Sequence, residues 1–539
     1  MTEQEQHVQP RNLPLLPSRL KSGALAPMPH DLGVRAYLTR SRQAPLAIVL
    51  SIFGIFLPAV IVSYAFSDDY PILWMAVSGK ANPYFGKTIF DATASGGRPL
   101  MGPLLQFAFS AAGTLDNLRF VRLIGIVGIA ALALLLHWAL VRSGIKPAVA
   151  ALIAVLVSSM PAFQVAASWA VLFTAPYAAL LGGGASVLAV SAIDSPRHLI
   201  ADRLAGATAM LVASLLIYQP AAMFFWVFLA VALVGTVRDW PRALRVVRMH
   251  AGVAVIGLAI AFVIGKVAAH TVHYTTPNTA HSALTHDVVG KARWFFEHPL
   301  YRSVSLFDLT PSPFLAALVG TVATGGITLW LLRRGSRPVP YLLIGLALVP
   351  LSFLPNLVVN ENNSYVFRTG IALTSLIALY ACLGILGLWL LFRDWLQPRV
   401  RERTLVAAKR VALGTSVAAV AVIAFVASRN VTTLVVDPQS TELRIIRSHV
   451  AALPAGLSRV GFVQIGANQG ITNWYSDEIG IASSARPWTL EPAVLLILRE
   501  EGRLNLNAPP AVDTYLWSTT TFPKGEPLID LREELERLR

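Results

Sequence analysis

Long apolar runs return along almost the whole chain, and no other feature leaves so few folds open. A helix that crosses a bilayer needs about 20 predominantly apolar residues. Such runs cover residues 44–66, 120–141, 147–164, 169–193, 203–218, 220–237, 251–270, 314–332, 340–359, 370–392 and 410–428. The expected fold is therefore mainly α, a polytopic membrane bundle of about eleven spans. Two divisions rest on length. Residues 203–237 are interrupted only by "YQP". One helix of that length would reach about 50 Å at 1.5 Å per residue, against a hydrocarbon core of about 30 Å. The chain must turn back, and Pro220 is the expected turn. The block 147–193 is longer still and breaks near "SSMPAFQVAASW".

Charge orients the bundle. Only 14% of the 539 residues are charged, against about 25% in soluble domains, and mean hydropathy is +0.60. The net charge of +15 would suit nucleic acid, but the basic residues sit in short loops between apolar runs. With the N-terminus inside, the segments "RSGIKP", "DSPRHLIADR", "RDWPRALRVVR", "RRGSRP" and "RDWLQPRVRERTLVAAKR" are cytoplasmic and dense in Arg. The opposite short loops, "QVAASW", "YQP" and "NENNSYVFRTG", are nearly bare of it. This positive-inside asymmetry accounts for the charge with no nucleic-acid partner. Composition rich in Arg, Ala and Val fits a GC-rich bacterial genome, hence a bacterial inner membrane.

Three regions follow. Residues 1–43 are expected as a disordered cytoplasmic tail, with no signal-peptide cleavage site before the first apolar run. Residues 44–428 form the transmembrane domain, and 429–539 a small α/β domain outside the membrane. In the latter, "STELRIIRSHVAAL" has helical spacing with Ser440 or Thr441 as a plausible N-cap. "RVGFVQIG" reads as a buried strand and "EPAVLLILREEG" as a helix stopping at Gly502. The single cysteine, Cys382, excludes an intramolecular disulfide and reads as a packing residue.

The candidate chemistry lies in the outward segments. The loop 67–119 holds two apolar stretches, "YPILWMAVSG" and "RPLMGPLLQFAFSAAG", too short to cross and suited to lying in the interface plane. Asp68 and Asp69 open the first and Arg98 opens the second. One aspartate could serve as a helix N-cap, but two carboxylates beside the membrane point to function. In the tight loop "NENNSYVFRTG", Glu361, Tyr365 and Arg368 stand together, and Arg368 opens a span where no orientation rule asks for positive charge. A snorkelling anchor is the bland account; a lipid-phosphate clamp is the functional one, since Arg holds phosphate bidentately. Tyr218 and Gln219 fall at an outer turn at the same depth, where Tyr is commonly a belt residue. The loop with His270, His273, His281, His286, Asp287, Glu297 and His298 matches no compact zinc motif. Gly182 to Gly184 lie within a span, where close helix packing is the simpler role.

In order, "FSDDY" after the first span, "GRPL" in a long outer loop, "YQP" in the middle and "NSYVFRTG" before a late span make a layout. It resembles the multispanning, lipid-carrier-dependent glycosyltransferases of the GT-C fold class, and within them the bacterial GtrII-type glucosyltransferases that modify O-antigen and other surface glycans. The resemblance implies a polyprenyl-phosphate sugar donor, glucose first among the sugars, and a glycan or lipid-linked acceptor at the outer interface. Asp68 or Asp69 would act as general base, with a slight preference for Asp69, and direct attack would invert the anomeric centre. Arg368, with Arg98, would neutralise the departing phosphate, and Tyr218, Gln219, Glu361 and Tyr365 would line the substrate. No cofactor is required, though the acidic pair could hold a divalent cation. A small flippase partner could deliver the donor. Two other classes compete: a transporter or flippase of a lipid-linked glycan, which should carry polar groups at the midplane in repeated halves, and a non-enzymatic assembly partner that binds glycan.

Overall fold

The computed structural model describes residues 43–272, 284–305, 312–334, 337–359, 366–465, 481–523 and 527–537. The first helix, α1 (Gln43–Phe56), stops where Pro58 follows. A proline lacks the amide that would continue the ladder and clashes with the carbonyl four residues back. Beyond a short turn the chain becomes extended at Val62. Three short helices then fill the first long loop: α2 (Asp69–Ser78), α3 (Ile89–Ser95) and α4 (Met101–Ala112). The expected pair of apolar helices is present as α2 and α4, but only α4 exposes an apolar edge, at Leu104 and Phe107. In α2, Asp69 to Met75 are all buried.

The bundle continues through α5 (Leu118–Arg142), α6 (Pro147–Ser158) and α7 (Pro161–Ser168). After these come α8 (Ala170–Ile193), α9 (Arg197–Ala222), α10 (Phe224–Gly235) and α11 (Trp240–Thr271). The last spans are α12 (Pro313–Arg333), α13 (Pro338–Leu351), α14 (Ile371–Leu396) and α15 (Glu402–Ala452). Among the described residues seven helices are long and apolar enough to cross a membrane, or eight if α6 and α7, bent by 63° at the expected break, count as one. The molecule is thus a polytopic helical protein. Shorter apolar helices, α1, α10 and α13, stand where the other runs were read.

Of two expected helix ends, one is present and one is corrected. The break expected at "YQP" is present: α9 is two helical stretches joined across a kink just before Pro220. Tyr218, two residues before the proline, leaves helical geometry (φ −156°, ψ 100°). The carbonyl that Pro220 would crowd, that of Leu216, accepts the amide of Leu100 at 3.2 Å. The corrected one is the helix start: no helix begins at Ser440 or Thr441. The last span continues into it as one helix, α15, through a π-type turn at Thr432–Val436. Leu434, four residues before Pro438, lies in that turn, which lets the proline ring pass without ending the helix.

After α15 come β1 (Arg459–Val463), α16 (Pro487–Glu500), β2 (Ala511–Tyr515), β3 (Leu528–Ile529) and α17 (Arg532–Arg537). The strands form one parallel sheet in the order β2-β1-β3. The strand and helix expected around residues 459–463 and 491–502 are both present, and Gly502 has the positive φ of +69° that ends α16.

Close helix contacts rest on glycine. A Cβ at Gly182 would lie 2.5 Å from the Ala222 carbonyl, and one at Gly326 would collide with the Gly384 carbonyl of α14. Packing therefore accounts for the glycine run at 182–184. The Arg-rich loops gather at one end of the bundle, where Arg242 pairs with Asp194 at 2.6 Å and Tyr341 donates to the Thr236 carbonyl. The sheet and the first long loop meet at the other end, through Arg447 with Asp116 and Glu500, and Arg499 with the Gly113 carbonyl.

Candidate functional site

The site begins with a helix end that needs satisfying. Where α1 gives way to extended chain, carbonyls lose their intrahelical donors. Arg122 of α5, fully buried, takes three of them: Ala59 at 2.7 Å, Tyr64 at 3.0 Å and Val62 at 3.4 Å. Its guanidinium also lies 3.8 Å from the Tyr64 ring centre, and Tyr64 donates to the Ser168 carbonyl at the end of α7. Sequence reasoning passed over Arg122, yet it stands at the same end of the bundle as Arg368, each close to one of the adjacent aspartates.

The chain then turns sharply. Ser67 has φ +46°, the left-handed region, the one such non-glycine residue among the described residues. That conformation costs about 1–2 kcal/mol for a residue with a Cβ, and strain of this sort collects at functional sites. The turn sends the two aspartates in different directions. Asp69 is 0% exposed, and its oxygens accept the amides of Phe66 and Val171, each at 3.0 Å. Asp68 is half-buried and accepts Trp488 Nε1 at 2.9 Å and Ser67 Oγ at 3.2 Å. Neither side chain caps α2. Burial pushes the Asp69 carboxyl up to about 7, against the pull of Arg122 and the two amides, with Asp68 adding to the rise. Burial raises Asp68 as well, opposed first by Arg368 and then by its bonds to Trp488 and Ser67. The two carboxylates thus differ in what they face. Asp69 is enclosed by backbone amides, whereas Asp68 faces a cavity.

That cavity, of about 130 Å³, is lined by Asp68, Trp169, Arg368, Arg486 and Trp488, with Phe66, Ser67, Ile481 and Ala482 completing the wall. It is smaller than the roughly 300–1,000 Å³ of drug-sized sites, and suits one charged head group. The Arg368 guanidinium lies 4.8 Å from the Trp169 ring centre, and that of Arg486 lies 5.5 Å from Trp488. Trp169 is 3% exposed, and its Nε1 has no acceptor among the described residues. A larger concavity, about 550 Å³, runs beside Glu402, Arg403 and Arg410. A single helix lines it, so it cannot enclose a ligand.

Arg98, Tyr218 and Gln219 do meet, but as a second cluster. Arg98 Nε donates to Gln219 Oε1 at 2.9 Å, Gln219 Nε2 donates to the Gly97 carbonyl at 2.8 Å, and the guanidinium covers the Tyr218 ring at 4.8 Å. None of the three lines the Asp68 cavity. Glu361 and Tyr365 lie outside the described residues, as do His273 and His281. Asp287 caps the short helix Val288–Phe295, and Glu297 pairs with Arg293. Among the described residues no three His, Cys, Asp or Glu side chains gather as a metal site would require. Arg486 and Trp488 were not foreseen, because nothing local in "SSARPWTLEP" signals a cavity more than 400 residues from its carboxylate.

No family model matches the chain, and no curated protein is significantly similar to it.

Proposed function

We propose that this chain is a membrane glycosyltransferase that moves a sugar, glucose first among the candidates, from a polyprenyl-phosphate donor to a glycan or lipid-linked acceptor. The observation that carries the reading is Asp68, half-exposed in a small cavity beside Arg368 and Arg486 at one end of a helical bundle. In the reaction Asp68 accepts the proton of an acceptor hydroxyl as that oxygen attacks C1 of the sugar. The bond from C1 to the phosphate oxygen breaks, its electron pair stays on that oxygen, and polyprenyl phosphate leaves. The anomeric centre inverts. A carboxylate in this role needs hydrogen-bond reach and a raised pKa, and the cations offset the charge that develops on the phosphate.

The side of the membrane belongs to the same proposal. Arg-dense loops at the end opposite the cavity favour a cytoplasmic N-terminus, with Asp68 and the sheet outside a bacterial inner membrane. The protein in lipid, given polyprenyl-phosphate glucose and a surface-glycan acceptor, should release polyprenyl phosphate, and Asp68→Asn should stop it. No release across a panel of lipid-phosphate sugars would sink the transferase and favour a flippase, with flipping of the labelled lipid as its own assay.

A further inference from the structure

One wall of the cavity comes from the segment after the last span, and it is held there with unusual thoroughness. Gln439 and Glu442 are one helical turn apart on α15, and both are buried. Glu442 accepts the amides of Ser483 and Ser484, each at 2.8 Å. Gln439 accepts Ser483 Oγ at 2.6 Å and donates to the Ile481 carbonyl at 2.6 Å. Ser483 Oγ in turn accepts the amide of Ser67, next to Asp68, at 2.9 Å. From the other side the Ser484 and Ala485 carbonyls accept Ile465 N and Gln464 Nε2, just past the carboxyl end of β1. The strap 481–488 is thus tied to α15, to the first loop and to the sheet.

The sheet adds a second argument. The chain passes from β1 to β2 on one side, then crosses to β3 on the other. Open parallel sheets bind ligands beyond the carboxyl ends of their strands where the order reverses in this way. The strap sits at that edge of β1 and carries Arg486 and Trp488 to the cavity. Across from them, Trp169 Nε1 is a buried donor with no acceptor among the described residues.

We propose that the strap is half of the donor site: Arg486 and Arg368 together hold the phosphate ester of the lipid donor, and Glu442 is the positioning residue that keeps Arg486 in place. This deepens the transferase reading and rests on it for the identity of the lipid. The charges agree. A bound phosphodiester brings one negative charge and ionised Asp68 another, against two guanidinium groups. After transfer the proton resides on Asp68 and the leaving monoester carries two negative charges at neutral pH or above. The cavity is neutral at both stages, and the second cation meets the second charge as it forms. Arg368 alone would leave a net negative charge in a partly desolvated site, which is costly.

The test uses the full-length protein in lipid nanodiscs, with binding of polyprenyl phosphate read from tryptophan fluorescence. Inorganic phosphate and polyprenol are the competitors. Arg486→Ala and Arg486→Gln should each weaken polyprenyl phosphate binding by about 10- to 100-fold, the worth of a charge-assisted contact. Polyprenol should compete poorly in every protein. Glu442→Gln should weaken donor binding while leaving the acceptor KM unchanged, and its effect should be largely absent in an Arg486→Ala background. Undiminished binding in both Arg486 variants would overturn the proposal. So would inorganic phosphate binding as tightly as the lipid, which would make the site one for the free anion. The two readings fail separately. Binding that needs Arg486 without sugar transfer keeps the clamp and removes the transferase, whereas transfer indifferent to Arg486 does the reverse.

Discussion

Two arginine clusters sit on the long first loop and its neighbours, and they differ in what the guanidinium meets. Around Arg98 the Nε donates to Gln219, which is tied to the Gly97 carbonyl, and Tyr218 covers the face. Around Arg368 one face rests on Trp169, and the group borders a cavity with Asp68 and Arg486. The same residue types, aromatic and cation together, build a joint in one place and a cavity wall in the other. What separates them is whether the chain leaves space. At Arg98 the proline-induced break in α9 brings backbone directly against the loop, with Leu100 bonded to Leu216. At Arg368 the strap 481–488 spans the gap without filling it. The adjacent aspartates repeat the lesson on a smaller scale, Asp69 facing backbone amides and Asp68 facing the cavity.

The largest expected effect falls on that second contrast. Asp68→Asn should lower transfer by about 10²- to 10⁴-fold, the usual contribution of a general base, with the thermal midpoint little changed. Asp69→Asn should do the opposite. An amide oxygen can accept only one of the Phe66 and Asp69-facing Val171 amides well, so stability should fall by about 1–3 kcal/mol for the donor left buried and unpaired. Transfer per folded molecule should largely survive. A folded but inactive Asp69→Asn beside an active Asp68→Asn would reverse the roles assigned here.

Next comes the contrast between the arginines. Arg368→Ala should raise the donor KM by about 10-fold or more, as loss of a charge-assisted phosphate contact does. Arg98→Ala should lower the melting temperature and leave donor KM within about threefold, since it removes a joint. Equal effects on KM would merge the two clusters into one site.

The smallest effects concern pH. Burial holds the Asp68 carboxyl above its ordinary value, so activity should rise with pH through a limb above the usual carboxylate range of about 4. Arg368 and the Trp488 bond both lower that pKa. Arg368→Ala should therefore move the limb to higher pH, and Trp488→Phe should move it in the same direction by less. Kinetics across pH 4–8 would show both. Asp69 acts on stability with a definite sign. Its folded pKa, raised to about 7, exceeds the ordinary value of about 3.9. Its contribution is fully present below the unfolded value and is lost as pH rises through 7. Asp69→Asn should remove that loss, so the gap in melting temperature between wild type and variant should narrow as pH rises from 4 to 7.

Part of the site was legible because topology alone places residues at a common level. Asp68, Arg98, Tyr218, Gln219 and Arg368 all sit at the edge of an apolar run, and the structure joins them in two groups, Asp68 with Arg368 and Arg98 with Tyr218 and Gln219. Ser67 could not be read, because left-handed geometry at a serine is imposed by its surroundings. Nor could Arg486, Trp488, Gln439 and Glu442, whose partners are distant in sequence and carry no local spacing. The helix start expected at Ser440 or Thr441 misled for a related reason. Pro220 and Pro438 mark disturbances, but whether the helix stops, kinks or bulges depends on what takes up the displaced carbonyl.

Apolar runs as long as a bilayer is thick, and Arg concentrated in alternate short loops, determined by themselves that this chain is a helical bundle with two unlike ends. Those properties are additive along the chain, since each residue contributes its own transfer free energy. The tertiary structure alone decided which aspartate faces open space, which arginine borders it, and that the last helix runs on to carry a sheet back over the first loop. Those outcomes depend on how buried donors and acceptors find one another across hundreds of residues, and that pairing becomes definite only when the chain is packed.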